Sequence, residues 1–161
     1  MSREDALSVD ELFDAWERAW SGRDPAAFAE CCAPDVHYED PLTPEPLRGV
    51  QALGERAAML WAAFPDARVN AMGPRLTDGT FASAPCKLLG THHNALGKIA
   101  ATRRALELHA VVFAELRDGR MLRVRAFFDV YGAGRQLGVF PRAGTAGERA
   151  LLMLRGFGLR G

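Results

Sequence analysis

Two Asp-Gly pairs, Asp78-Gly79 and Asp118-Gly119, constrain this chain more than any other feature. Asp-Gly readily takes the positive φ that a two-residue hairpin turn needs, so each pair predicts two neighbouring antiparallel strands. The runs around them, 68–77, 80–93, 104–117 and 120–131, read as strands. Helical signals occupy the first half. Ser8-Val-Asp-Glu11 is a capping box, and Leu12, Phe13, Trp16, Ala19 and Trp20 recur behind it at helical spacing. Gly22 ends that helix, and Asp24 caps a second, short one with Pro25 in its first turn and Phe28 facing inward. Val36 to Asp40 reads as a short strand that Pro41 stops, and the stretch from Pro41 to Gly49 as loop. A third helix carries Val50, Leu53, Ala57, Leu60, Trp61 and Phe64 on one stripe, and Pro65 closes it. Helices followed by an antiparallel meander predict an α+β fold, with N-terminal helices packed on one face of a strongly bent, mostly antiparallel sheet.

At 161 residues the chain is long enough for one domain with its own core. The lysines and arginines number 20 and so do the aspartates and glutamates, which leaves no electrostatic case for nucleic acid or an anionic membrane. The segment Met1 to Ala6 lacks the apolar core of a signal peptide, and no apolar run is long enough to span a bilayer. Cys31, Cys32 and Cys86 make a poor disulfide framework, so a reduced, cytoplasmic protein is expected. Thr145-Ala-Gly-Glu148 is a second capping box. The chain therefore divides into a main domain over 1–141 and a helical tail over 142–161. The tail leucines Leu151, Leu152 and Leu154 are expected to cover the domain or a partner subunit.

Side chains alternate faces along a strand, which sorts the residues able to do chemistry. Cys86, Leu88, Gly90 and His92 share one face, while His93 points to the other. Adjacent histidines on opposite faces do not easily bind one metal, and no third ligand stands at a supporting spacing, so no metal is expected. Arg123, Arg125, Phe127, Asp129 and Tyr131 share a face of the last strand. Two readings of Asp129 are open there: a semi-buried general base, or a structural carboxylate paired with Arg125. Asp40 closes Tyr38-Glu39-Asp40-Pro41, where it is either a turn residue or a second acid/base with the Tyr38 phenol beside it. Trp16, Trp20 and Trp61 are helix-to-sheet core aromatics, of which Trp16 could also line a cleft.

In the order and spacing of several motifs the chain resembles the SnoaL-like polyketide cyclases. These belong to the superfamily that also holds nuclear transport factor two and ketosteroid isomerase. The resemblance rests on Asp35-Val-His-Tyr-Glu-Asp-Pro41, Pro46-Leu-Arg-Gly-Val-Gln-Ala-Leu53 and Phe64-Pro-Asp-Ala67. It continues through Gly90-Thr-His92, Ala101-Thr102, Asp118-Gly-Arg120, Asp129 and Gln136-Leu-Gly138. It implies a cone-shaped α+β barrel with a pocket between the helices and the concave sheet face. It also implies a cofactor-free enzyme that closes a ring by intramolecular aldol addition, or isomerises through an enolate. Asp129 matches the family's acid/base, and His92 matches a pocket histidine able to polarise a carbonyl. By analogy with ketosteroid isomerase, Asp40 is a rival base. The chain departs from the family at His93-Asn94, at Arg103, and at Arg125, which stands where a tryptophan is common; Cys86 replaces a bulkier residue.

The expected site therefore comprises Asp129, His92 and Asp40 as catalytic groups, with Tyr38, Trp16, Cys86, Arg125 and Trp61 around the substrate. That substrate is a small, hydrophobic, carbonyl-containing molecule. A non-catalytic ligand-binding or dimerising role is the alternative, and water addition a third. A homodimer is expected, because an exposed sheet face with alternating apolar residues is a liability in water.

Overall fold

A computed structural model describes residues 7–157, so Met1 to Ala6 and the last four residues lie outside it. Helix α1 spans Val9–Ser21. Its capping box is closed in both directions, Glu11 N–H donating to Ser8 Oγ at 3.2 Å and Ser8 N–H to Glu11 Oε2 at 2.8 Å. The short helix at Pro25–Glu30 is a 3₁₀ turn, capped by Asp24 through the Ala26 N–H, and Phe28 is fully buried from it. Helix α2 spans Gly49–Ala63. It presents Leu53, Ala57 and Trp61 to the interior, as its apolar stripe predicts.

Seven strands form one sheet. They are β1 (Cys32–Glu39), β2 (Leu47–Arg48), β3 (Arg68–Ala71), β4 (Leu76–Thr77), β5 (Phe81–Thr91), β6 (Ala105–Arg117) and β7 (Arg120–Phe128). The order is β2-β1-β7-β6-β5-β3, with β4 also pairing β5. Both Asp-Gly turns form hairpins: Arg117 faces Arg120 across Asp118 and Gly119, at φ 52° and 71°, whereas Thr77 faces Ala82 across four residues, Asp78 to Phe81, rather than two. One pairing is parallel, that of β1 with β7, where Tyr38 stands opposite Val124. The expected alternation holds along β5, along β6 and in β7 from Arg123 on; before it a register shift at Glu115/Leu116 breaks the pattern, and Met121 is buried. Ala82, Ala84, Cys86, Val112, Ala114, Val124 and Ala126 are buried on the concave face, while Phe81, Val111, Phe113 and Phe127 stand exposed on the convex one.

The structure corrects the expected elements at four places; β1 begins at Cys32, four residues before the expected Val36, and ends at Glu39. The run 68–77 is two short strands rather than one, because Gly73 and Pro74 interrupt it. Leu47–Arg48 adds an edge strand inside the expected loop. The last strand ends at Phe128, and residues 130–131 open a helix instead, α3 (Val130–Gln136), since the Asp129 side chain caps Gly132 N–H.

Helices α1 and α2 lie across the concave face. Trp16 and Trp20 pack edge-on against Phe28, at centroid separations of 5.6 and 5.3 Å, and form the closed end of the core. Trp61 Nε1–H donates to the Trp20 carbonyl at 2.7 Å and so ties α2 to α1. The tail helix α4 (Ala146–Phe157) leaves Thr145 through a one-sided cap at 3.3 Å. Glu148 turns instead to Tyr131 Oη at 2.7 Å and Gly144 N–H at 2.6 Å. Leu151 is half-buried and Leu152 exposed; the side chain of Leu154 lies outside the described residues.

Candidate active site

Small side chains on the sheet leave space that the helices do not fill. Alanines at 110 and 126 and the thiol of Cys86 widen the concave face, and a cavity of ≈ 400 Å³ remains between it and α2. Leu88, Leu106, Leu108, Val112 and Phe128 form its sheet wall, and Met59, Leu60 and Phe64 its helix wall. Leu96, Gly97 and Ile99, from the loop between β5 and β6, complete the rim with Leu42. That loop is held by a reciprocal pair, Leu96 N–H to the Ile99 carbonyl at 2.9 Å and the reverse at 3.0 Å. Leu42, Met59 and Ile99 are also among the exposed large apolar residues, and so mark the mouth.

Into this apolar space β1 delivers two polar groups. Tyr38 and Asp40 are two residues apart and emerge on the same, inner face. The Asp40 side chain is only 4% exposed. Its Oδ1 accepts the Leu42 N–H at 2.7 Å, while its Oδ2 accepts the Tyr38 hydroxyl at 3.0 Å and faces Arg56 Nη2 at 3.4 Å. The turn after it is fixed by Thr43, whose hydroxyl accepts the Asp40 N–H at 2.9 Å. Burial pushes the Tyr38 phenol well above its ordinary value, and the Asp40 charge and hydrogen bond push it the same way. Tyr38 therefore stays a hydroxyl donor. Burial likewise pushes the Cys86 thiol up to about 11, with the nearby Glu17 charge adding to it, so Cys86 lines the wall as a neutral thiol.

Of the residues expected at the site, Tyr38, Asp40, Trp16 and Cys86 are brought together around the cavity. The others are not. Asp129 is exposed and its Oδ1 accepts Gly132 N–H at 2.9 Å; its neighbours Phe128 and Val130 face the cavity, and it turns away between them. Its face-mate Arg125 lies on the convex surface and pairs with Glu39, not with Asp129. His92 is fully buried behind Phe64, with which it stacks at 5.0 Å. Its Nδ1 accepts the Thr102 N–H at 3.2 Å and lies 3.1 Å from the Thr102 hydroxyl, and Nε2 has no hydrogen-bond partner among the described residues. Trp61 is core, outside the lining. Arg56 escaped the sequence reading, although a signal was present: it stands three residues after Leu53 and four before Leu60, on the inner stripe of α2. Among the described residues no group of three or more His, Cys, Asp or Glu side chains is placed to hold a metal ion, and no helix is long and apolar enough to cross a membrane.

A bent sheet closed by helices, with an apolar cavity and, among the described lining residues, one shielded carboxylate, defines a cone-shaped α+β protein of the nuclear transport factor two-like fold. The family described as SnoaL-like polyketide cyclase matches residues 10–137, and the chain belongs to it. Among solved structures the fold is similar to TsrD from Streptomyces laurentii, with TM-score 0.72, 20% identity, and 86% of this chain and 98% of that one covered. It is also similar to IdmH from Streptomyces antibioticus, named as a candidate polyketide cyclase, with TM-score 0.70, 21% identity and coverage of 82% and 99%. A protein of ketosteroid isomerase-like fold from Catenulispora acidiphila has TM-score 0.70, 17% identity and coverage of 81% and 95%. None of the curated proteins matches the chain.

Proposed function

We propose that this protein is a cofactor-independent acid–base enzyme that cyclises a hydrophobic carbonyl compound by intramolecular aldol addition, with Asp40 as its principal base. The observation that carries the reading is a carboxylate 4% exposed, aimed into an apolar cavity beside a phenol that stays protonated. A shielded base of this kind works on a weak carbon acid, because its burial reduces the competition from water. The C–H bond α to a carbonyl breaks, its proton passes to Asp40, and the electron pair becomes an enolate. The enolate carbon adds to a second carbonyl of the same molecule, forming the C–C bond. Asp40 then returns its proton to the new alkoxide. Nothing is oxidised or reduced. In this reading Asp129 holds the start of α3, whose Val130 and Ala133 wall the cavity, and His92 backs Phe64.

The test is proton exchange at the α-carbon of α-tetralone in deuterated water, followed by NMR. Wild type should accelerate exchange. Asp40→Asn should lose about a hundred-fold or more of that rate, the scale of a positioned general base, and Asp129→Asn should lose little. The reverse ranking transfers the base to Asp129. Unchanged exchange in both variants ends the acid–base reading and favours ligand binding, for which the largely aliphatic cavity wall is also suited.

A further inference from the structure

We infer that Arg56 is a second catalytic group, the cation that neutralises Asp40 at rest and the substrate's enolate oxygen during turnover. The inference rests on Asp40 being the base. Two arginines in this structure hold carboxylates in very different ways. Arg75 is surrounded: its guanidinium lies 2.7 Å from Asp14, 3.1 Å from Glu17 and 3.6 Å from Asp10, and also donates to the Asp10 carbonyl at 2.7 Å. It is a structural clamp between α1 and the segment before β4. Arg56 is the opposite case. It lines the cavity, is three-quarters buried, and meets one carboxylate oxygen at 3.4 Å, a longer contact than the 3.0 Å bond from Tyr38 to the same atom. A guanidinium has five N–H donors in a fixed plane, so among the described residues most of its capacity is free for a ligand oxygen.

Charge conservation then decides what that ligand oxygen is. With Asp40 ionised, Arg56 and Asp40 balance each other. When the α-proton moves to Asp40, the carboxyl becomes neutral and the negative charge appears on the substrate oxygen. A full cation within one side-chain length of both sites needs no counterion from solvent; it changes partner as the charge moves. Preorganised compensation of this kind favours the enolate over the neutral ketone, which is what lowers the barrier. It also selects the substrate: the acidic C–H must lie beside a carbonyl that reaches Arg56 while the rest of the molecule occupies the aliphatic wall.

The test uses Asp40→Asn, which copies the neutral, protonated state of the base and leaves Arg56 without its resting partner. The probes are 4-nitrophenolate, an aromatic oxyanion standing in for the enolate, and 4-nitroanisole, a neutral analogue of similar shape. At a pH where the phenol is fully ionised in water, Asp40→Asn should bind 4-nitrophenolate at least ten-fold more tightly than wild type. The double variant Asp40→Asn/Arg56→Met should lose that gain, and Asp40→Asn/Arg56→Lys should retain part of it. Affinity for 4-nitroanisole should stay within about two-fold in all four proteins, which shows that cavity and fold are intact. Equal phenolate affinity in the Asn and Asn/Met proteins, or no gain in Asp40→Asn, overturns the role of Arg56. Exchange activity surviving in Asp40→Asn alone would instead overturn the base assignment on which the inference rests.

Discussion

Replacing Gly54 by alanine should destabilise the protein, against the usual sign for a helix interior. In an exposed helix alanine is favoured over glycine by about 1 kcal/mol. A methyl that seats without strain adds about 0.8 kcal/mol of burial. Here a Cβ on Gly54 would stand 2.5 Å from the Pro25 carbonyl oxygen and 2.9 Å from Pro25 Cβ. Those atoms belong to the 3₁₀ turn on which α2 rests, so relief requires main-chain movement rather than a rotamer change. Overpacking of this kind costs about 1–3 kcal/mol or more, and contact with a backbone oxygen belongs at the upper end. With the methyl unseated, the net loss is about 1–2 kcal/mol, or about 2–8 °C in Tm for a domain of this size. Calorimetry or circular dichroism on Gly54→Ala measures it. Because the wall residues Met59 and Leu60 ride on the same helix, affinity for 4-nitroanisole should weaken as well. A Tm equal to or above that of wild type would refute the argument that close backbone approach explains this glycine.

Glu17 has one carboxylate oxygen buried without a hydrogen-bond partner among the described residues, and burial raises its pKa from 4.5 despite Arg75. The native state then holds a proton more tightly than the unfolded chain, so wild type loses stability as pH rises through the raised value. Urea unfolding should show Glu17→Gln gaining on wild type as pH rises from the ordinary carboxylate range through the raised value, and a difference flat with pH would contradict this. Asp129→Ala should cost about 1 kcal/mol through loss of the α3 cap, with Asp129→Ser largely restoring it, and equal unfolding midpoints in all three proteins would deny the cap. Cys86 should resist iodoacetamide in the native protein at mildly alkaline pH, because its thiol is buried and pushed up to about 11; rapid labelling by mass spectrometry would show a more open wall. The convex stripe of Phe81, Val111, Phe113 and Phe127 should pair with a second copy, giving a dimer mass by light scattering that Phe113→Glu reduces to the monomer; a monomeric wild type at micromolar concentration would end that expectation.

Local chemistry was legible in the residues themselves. The Ser8–Glu11 capping box, the Asp24 cap, the two Asp-Gly turns and the inward face of Cys86, Leu88 and His92 depend only on neighbours within a few positions. So does the placement of Tyr38 beside Asp40, since two strand residues at that spacing share a face wherever the strand lies. What lies across a strand, or behind a wall, is decided by tertiary packing. Asp129 and Arg125 share a face in sequence, yet the parallel pairing of β1 with β7 brings Glu39 opposite Arg125, and a helix begins where the last strand was expected to continue. His92 does point inward as its parity requires, but Phe64 from α2 stands against it, and no spacing within one strand reports the depth of a neighbouring helix. Arg56 is the converse: an ordinary helix arginine in the sequence, it acquires its significance because α2 crosses the sheet beside the end of β1, 16 residues away along the chain and 3.4 Å away in space. Periodicity determines which way a side chain faces. The packing of separate elements decides what it meets there, because that depends on contacts between residues far apart in the chain.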